Sequence, residues 1–152
     1  MSRKLHGCKG AISVIRETTS DRGPEDRVSI SEQRKGRTPC PPLVGMTTIS
    51  IADQVSRLKN SPEWGSRDRH SVGLVRNPPL NLMLMVLKQG ARLPEHRTYG
   101  PIALQVVSGS IRFVAGAERV VCAGELIALD RNISHSLEAL AESVIILTTV
   151  LD

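Results

Sequence analysis

The histidines of this sequence are the side chains best suited to chemistry near neutral pH. The sequence contains four of them. His96 follows Gly90 after five further residues, and His135 follows Gly124 after ten. An imidazole changes its charge close to neutral pH, so it can act as a general acid or base or, when neutral, as a metal ligand. His96 and His135 are therefore candidates for acid-base chemistry on a small molecule or for metal binding, provided that the fold brings them together.

Short β-strands must position these histidines, because strand-like runs separated by turn signals fill the chain after Trp64. Glycine, proline and asparagine interrupt the runs at short, regular spacing. This pattern indicates an all-β sandwich, jelly roll or closed barrel. We expect strands at His70–Arg76, Leu80–Lys88, Arg92–Thr98, Ile102–Val107, Ser110–Val114, Glu118–Val121, Leu126–Leu129, His135–Leu140 and Ser143–Val150.

One short helix is predicted ahead of the strands. Ser50 and Asp53 have the spacing of a capping box, and apolar residues recur at helical intervals from Ile51 to Leu58. Pro62 follows at the point where the pattern stops. We expect this amphipathic helix to lie against the barrel.

Two of the expected strands are apolar at both alternating positions, Leu80–Leu87 and Val144–Val150. Both faces of such a strand are normally covered. We expect one face to meet the barrel interior and the other to meet a helix or a second subunit, and the second possibility predicts a homodimer.

Two segments match the paired motifs of the cupins. The first cupin motif has a glycine, five residues, His-x-His, a glutamate four or five residues on, and a glycine seven beyond it. In this sequence the glycines and the first histidine fit, as Gly90, His96 and Gly109, while Thr98 replaces the second histidine and Ile102 replaces the glutamate.

The second cupin motif has a glycine, a proline, a glycine and a histidine, and here Gly124, Asp130, Asn132 and His135 occupy these positions. Asn132 can stand in for glycine where a turn needs a left-handed backbone. With both motifs, roughly residues 68 to 150 resemble the small single-domain cupins found widely in bacteria. The resemblance implies a double-stranded β-helix barrel, an RmlC-like jelly roll, and often a homodimer, but a fold does not fix a function.

The resemblance also implies where a site would lie. Metal-dependent cupins hold a divalent transition metal with three histidines and one glutamate, and of these ligands this chain keeps His96 and His135. A threonine hydroxyl at Thr98 is a poor ligand for such metals, and an isoleucine at Ile102 is none. The implied pocket residues are His96, Thr98, Ile102, Leu104 and His135.

Strand alternation extends this picture to the neighbours of the site. If His96 faces the barrel interior, Arg92, Pro94 and Thr98 share its face, and Leu104 and Val106 follow Ile102 inward. His70 and Asp130 are the remaining candidates for a third ligand. An inward Arg92 could pair with the carboxylate of an acidic ligand, but a solvated arginine at the end of a strand is the favoured interpretation.

Three functions fit these residues. The first is a cupin that binds a small molecule in its barrel, with no certain cofactor. The second is a metal-dependent enzyme of the isomerase or dioxygenase type, with a divalent transition metal at a degenerate site of His96 and His135. The third is a structural or interaction barrel in which the two histidines only line a polar pocket.

Charge and composition limit the partners. The net charge of +5 divides into +4 for residues 1–45, with nine Lys/Arg and five Asp/Glu, and +1 for residues 46–152, with eleven and ten. Trp64, Tyr99 and Phe113 are the only aromatic residues, so a nucleic-acid partner is not expected. The longest apolar run is too short to cross a bilayer, so no membrane partner is expected either. Three cysteines without CxxC spacing fit a reducing compartment and predict a cytoplasmic protein.

The main domain boundary is placed at Met46, where the amino-acid composition of the chain changes. Residues 1–45 combine scattered charges with Ser, Thr, Gly and Pro, and we expect a disordered basic extension. We hypothesise that Met46 is the biological start; the alternative is that the extension is a basic interaction arm. Residues 46–66 should form the helix and a linker packing on the barrel, and residues 67–152 the cupin barrel.

Overall fold

The computed structural model describes residues 45–151. The predicted basic extension lies outside the described residues apart from Gly45. Nine strands follow two short helices, and each predicted strand is present with ends within two residues of the predicted ones. The elements are α1 (Ile51–Lys59), α2 (Pro62–Ser66), β1 (Arg69–Asn77), β2 (Leu80–Leu87), β3 (Arg92–His96), β4 (Ile102–Ser108), β5 (Ser110–Ala115), β6 (Ala117–Cys122), β7 (Leu126–Leu129), β8 (His135–Ala139) and β9 (Ser143–Val150).

The strands form two antiparallel sheets that pack face to face. The first has the order β1-β2-β9-β4-β7 and the second the order β3-β8-β5-β6. The chain crosses from one sheet to the other six times along β1 to β9, at every connection except β1–β2 and β5–β6. The strand orders place β2 opposite β3, β9 opposite β8, β4 opposite β5 and β7 opposite β6, while β1 is an edge strand with no counterpart in the second sheet. This arrangement confirms the predicted all-β jelly roll.

The β4–β5 crossing depends on a glycine. Gly109 has a φ of +81°, and a Cβ atom built on it would lie 2.3 Å from the carbonyl oxygen of Glu142. A side chain at this position would be strained by the backbone and blocked by the turn that follows β8. The motif glycine thus allows the chain to pass closely between the two sheets.

The barrel interior is filled by apolar side chains from both sheets. Ile102, Leu104 and Val106 of β4 are at most 4% exposed, whereas Gln105 between them is exposed. This is the predicted alternation. The buried interior cluster consists of Met85, Leu87, Ala91, Leu104, Val106, Ile111, Phe113, Val121, Leu137, Ala139 and Ile145.

Helix α1 covers the outer face of the first sheet. The Ser50 hydroxyl accepts a hydrogen bond from the Asp53 backbone N–H at 3.2 Å, so the predicted N-cap is confirmed. Leu58 of the helix packs with Leu84 and Val86 of β2, both 0% exposed. Half of β2 is therefore covered on both faces, by the interior and by the helix.

The predicted linker after α1 contains a second helix. Pro62, which the sequence indicated as a stop signal for α1, is the first residue of α2. Proline suits a first helical position because its fixed φ is already helical and its missing N–H would have no helical partner there. The same residue therefore ends one helix and begins the next.

Neither helix in the described part of the chain is long and apolar enough to cross a membrane. The cytoplasmic location stays a prediction.

Candidate functional site

The two sequence-predicted histidines lie side by side at one end of the barrel. His96 is the last residue of β3, His135 is the first residue of β8, and the two are paired opposite each other in the second sheet. The ring centroids are 4.3 Å apart. We call this end, where β3 ends and β8 begins, the mouth.

A β-bulge in β3 aims His96 at its partner. Leu93 pairs with Leu137 and His96 with His135, so β3 advances by three residues over the distance in which β8 advances by two. Pro94 lies inside the bulge, where its missing backbone N–H costs no ladder hydrogen bond. Leu93 and His96 consequently face the interior together, although simple alternation would place them on opposite faces.

The bulge breaks the alternation that would have placed Arg92 on the face of His96, and Arg92 is instead the solvent-exposed strand-end arginine that the sequence favoured. Arg92 faces away from the interior, where Nη2 donates to Glu138 Oε1 at 3.0 Å. Arg112 Nη1 donates to the other oxygen, Oε2, at 2.7 Å. These hydrogen bonds, that of Arg92 first, hold the pKa of Glu138 below its usual value. A surface cavity of about 250 Å³ beside them lies on the outer face of the second sheet and does not include the histidines.

Backbone carbonyls fix the tautomer of both imidazoles. Nδ1 of His96 lies 2.8 Å from the Pro94 oxygen, and Nδ1 of His135 lies 2.9 Å from the Ile133 oxygen. A carbonyl oxygen can only accept, so each Nδ1 carries the proton and donates it. In the neutral ring Nε2 is then the nitrogen with the free lone pair. The mouth therefore presents two Nε2 acceptors next to each other.

The two rings differ in their exposure to solvent. His135 is 5% exposed and stacks on Phe113 with a centroid distance of 5.6 Å, whereas His96 is exposed. Burial lowers the pKa of His135, because the charged ring loses hydration, and the nearby His96 lowers it further. The Ile133 carbonyl opposes the shift without reversing it. His135 is consequently neutral at neutral pH.

Two loops meet at the mouth and hold the histidines in register. Asn132 has a φ of +61°, which confirms the predicted left-handed turn, and its N–H donates to the Thr98 carbonyl at 2.8 Å. Ser134 Oγ donates to the Glu95 carboxylate in a second tie between the loops. The Thr98 hydroxyl donates to the Gly100 carbonyl at 3.2 Å, so its proton is used in a hydrogen bond within the loop.

The other predicted site residues lie in different surroundings. Ile102 is buried at the start of β4, while Leu104 belongs to the packed interior cluster. His70 faces the helices, where its Nδ1 lies 2.9 Å from Oγ of Ser61, the residue before α2, and 3.3 Å from the Leu58 carbonyl of α1. Asp130 is exposed and accepts from the neighbouring Arg131 N–H. Neither His70 nor Asp130 therefore joins His96 and His135.

The side chains around His96 and His135 decide whether the site can hold a metal ion. Within residues 45–151, no three His, Cys, Asp or Glu side chains come together in a way that could hold a metal ion. The tautomers suit metal ligation, since ligating histidines commonly donate their second N–H to a carbonyl. The third and fourth ligands of the cupin set are replaced by a threonine and a buried isoleucine. The described residues thus do not fit a centre of three histidines and one glutamate.

Two polar residues that the sequence patterns did not indicate as site residues face the interior near the mouth. Asn81 of β2 pairs with Thr149 of β9, which in turn pairs with Ile102 of β4, so the three share the interior face. The Asn81 Nδ2 atom is buried and makes no hydrogen bond to any residue between 45 and 151. The available signal was the single polar residue in an otherwise apolar strand, at the same parity as Met83 and Met85.

Comparison with solved structures identifies the fold. A cupin superfamily protein from Desulfitobacterium hafniense matches with a TM-score of 0.59 at 11% identity, over 76% of this chain and 100% of that one. The described part of the chain has the cupin fold.

The other solved structures with a similar fold include an enzyme. A mutant of salicylate 1,2-dioxygenase from Pseudoaminobacter salicylatoxidans matches with a TM-score of 0.61 at 14% identity, over 66% of this chain and 34% of the enzyme. KdgF from Halomonas sp. matches with a TM-score of 0.52 at 19% identity, over 56% of this chain and 81% of that one. No protein-family model and no curated protein matches the sequence. At these identities the likeness shows the fold and leaves the activity to the site itself.

Proposed function

We propose that this cupin binds a small molecule at the mouth of its barrel through the paired imidazoles of His96 and His135. The observation that supports this function most directly is the tautomer shared by the two rings. Both Nδ1–H groups are engaged by backbone carbonyls, so both Nε2 atoms are acceptors. A ligand with a hydroxyl or amino group can donate to them.

The difference in exposure gives the two rings different roles. His135 is buried against Phe113 and stays neutral, so it is a fixed acceptor that orients the ligand. His96 is exposed to solvent and can contact the same ligand from the solvent side of the mouth. This combination gives a ligand one buried and one exposed acceptor.

The metal-dependent alternative makes a different prediction. It requires a third protein ligand, because open metal sites normally keep three, and the described residues do not provide one. Elemental analysis of the purified full chain after exposure to Zn²⁺, Mn²⁺ and Ni²⁺ separates the two functions. A stoichiometric metal that is lost in His96→Asn and retained in His70→Gln would support the metal enzyme and contradict our proposal.

Ligand binding is tested with a panel of small diols, hydroxy acids and amines, measured by NMR on the full chain labelled with ¹⁵N. We expect at least one compound to shift the ring resonances of His96 and His135. His96→Asn and His135→Gln should weaken its binding, and His70→Gln, which changes an imidazole on the helix side, should not. Equal binding by all variants, or no shift of either ring by any compound, would refute the proposal.

A further inference from the structure

The two histidines face a second set of polar groups across the mouth. Strand β2 begins at the mouth and β3 ends there, so Asn81 near the start of β2 lies across the interior from His96. In the same way, Thr149 near the end of β9 lies across from His135 at the start of β8. Facing sheets are separated by about 10 Å, which leaves room for a small molecule between the side chains of the two sheets.

The amide of Asn81 lacks an acceptor. Its Nδ2 atom is buried and makes no hydrogen bond to the part of the chain that the structure describes. Buried polar atoms in folded proteins are nearly always paired, because an unpaired donor has lost its hydration without compensation. An oxygen atom of a bound ligand would supply the missing acceptor.

An unpaired cation lies beside this amide. Arg76 of the edge strand β1 is exposed and is paired with Asn81, after a bulge between Gly73 and Val75, so it lies on the same face of the first sheet as that amide. Among residues 45–151 its guanidinium has no hydrogen-bond or ion-pair partner. By contrast, Arg92 and Arg112 on the outer face of the other sheet share the carboxylate of Glu138.

The residues paired in register across the first sheet at the mouth become apolar beyond Thr149. The paired positions continue from Asn81 through Thr149 to Ile102 and Leu129, all on the interior face. One side of the mouth therefore presents, in order, a cation, an amide donor, a hydroxyl and two aliphatic side chains. This is the order of groups that a short carbon chain with a terminal carboxylate would meet.

From this arrangement we propose that the ligand is a small hydroxy acid. Its carboxylate binds Arg76 and the Asn81 amide on the first sheet, and its hydroxyl donates to an Nε2 atom of the histidine pair on the second. A guanidinium and an amide both donate to a carboxylate, and charge-assisted hydrogen bonds are the stronger kind. The inference deepens the proposed function and rests on it, since the histidines provide the second half of the site.

Three matched probes separate the two halves of the site. 2-Hydroxybutyrate has both groups, butyrate has only the carboxylate, and 1,2-butanediol has only hydroxyls. Each is titrated into the ¹⁵N-labelled full chain, with the Asn81 side-chain NH₂ and the histidine ring nitrogens as reporters. We expect 2-hydroxybutyrate to bind most tightly and to shift both sets of resonances.

The variants Arg76→Gln and Asn81→Leu should weaken binding of 2-hydroxybutyrate by about tenfold or more, since each removes a hydrogen bond to a charged group. Both should leave the weaker binding of 1,2-butanediol unchanged. Arg92→Gln is the matched control, because it removes an equal charge from the outer face of the other sheet.

Two results would overturn the inference. If 1,2-butanediol binds as tightly as the hydroxy acid and Arg76→Gln has no effect, the carboxylate site is absent while the function proposed for the histidines remains. If none of the probes shifts the Asn81 NH₂ group, the hydroxy acid is not the ligand, and the proposed function then depends on the wider panel.

Discussion

Burial of His135 should make the stability of this protein depend on pH in a way that a single substitution can isolate. Its folded pKa lies below the ordinary value of 6.5, because the buried charged ring has lost hydration. In the unfolded chain the same ring takes up a proton as the pH falls through 6.5. Below that pH the unfolded state therefore binds more protons than the folded state, and stability falls.

The size of the effect follows from linkage. Between about pH 7.5 and about pH 5.5, a ring that stays neutral in the folded state and titrates with its ordinary pKa when unfolded would lower the free energy of unfolding by about 1.4 kcal/mol. This figure is an upper limit, because any protonation in the folded state reduces the difference. The shifted pKa of Glu138 lies below the usual carboxyl value of 4.5, so its contribution is lost only at pH values below this window.

Urea denaturation at a series of pH values measures the effect. We expect His135→Gln to remove most of the decline in stability between the two ends of the window, whatever it does to stability at the higher pH. His70→Gln is the control, because that imidazole lies beside Ser61 on the helix side. Parallel curves for the wild type and His135→Gln would refute the argument that burial holds this ring neutral.

Three further predictions concern the fold. Leu58→Ala should lower the free energy of unfolding by about 2–5 kcal/mol in urea denaturation, since Leu58 is 6% exposed in the helix–sheet cluster; exposed Arg57→Ala should change it by less than about 0.5 kcal/mol. Gly109→Ala should lower it by at least about 1 kcal/mol because of the positive φ and the blocked Cβ position, and a neutral effect would contradict the strain argument. Light scattering of the full chain should give the mass of a homodimer, and a monomer would refute that prediction.

Much of the barrel was predictable because its signals are local. Turn residues bound every strand, and the alternation of apolar residues at Ile102, Leu104 and Val106 indicated directly that these side chains point into the barrel. Asn132 was predictable as the left-handed residue because asparagine is one of the few residues other than glycine that adopt this conformation readily.

The errors at the site have non-local causes. Strand alternation would place Arg92 on the same face as His96, and the bulge in β3 prevents this. The bulge could not be predicted because it depends on the register between β3 and β8, which is a property of the strand pair. The sequence also could not show that the Asn81 amide has no partner among the described residues, because hydrogen-bond partners are known only once the strands are assembled into sheets. The tautomers of His96 and His135 depend on carbonyls two residues earlier, whose direction is set by the turns.

The measurement that tests the central claim most directly is the protonation of the ring nitrogens in the free protein. A long-range ¹H–¹⁵N spectrum of the histidines at about pH 7.5, where His135 is expected to be neutral, distinguishes the nitrogen that carries the proton from the one that does not. We expect the proton of the neutral ring to lie on Nδ1 in both His96 and His135, which leaves Nε2 unprotonated. Protonated Nε2 on either ring would remove one of the two acceptors and contradict the proposed site.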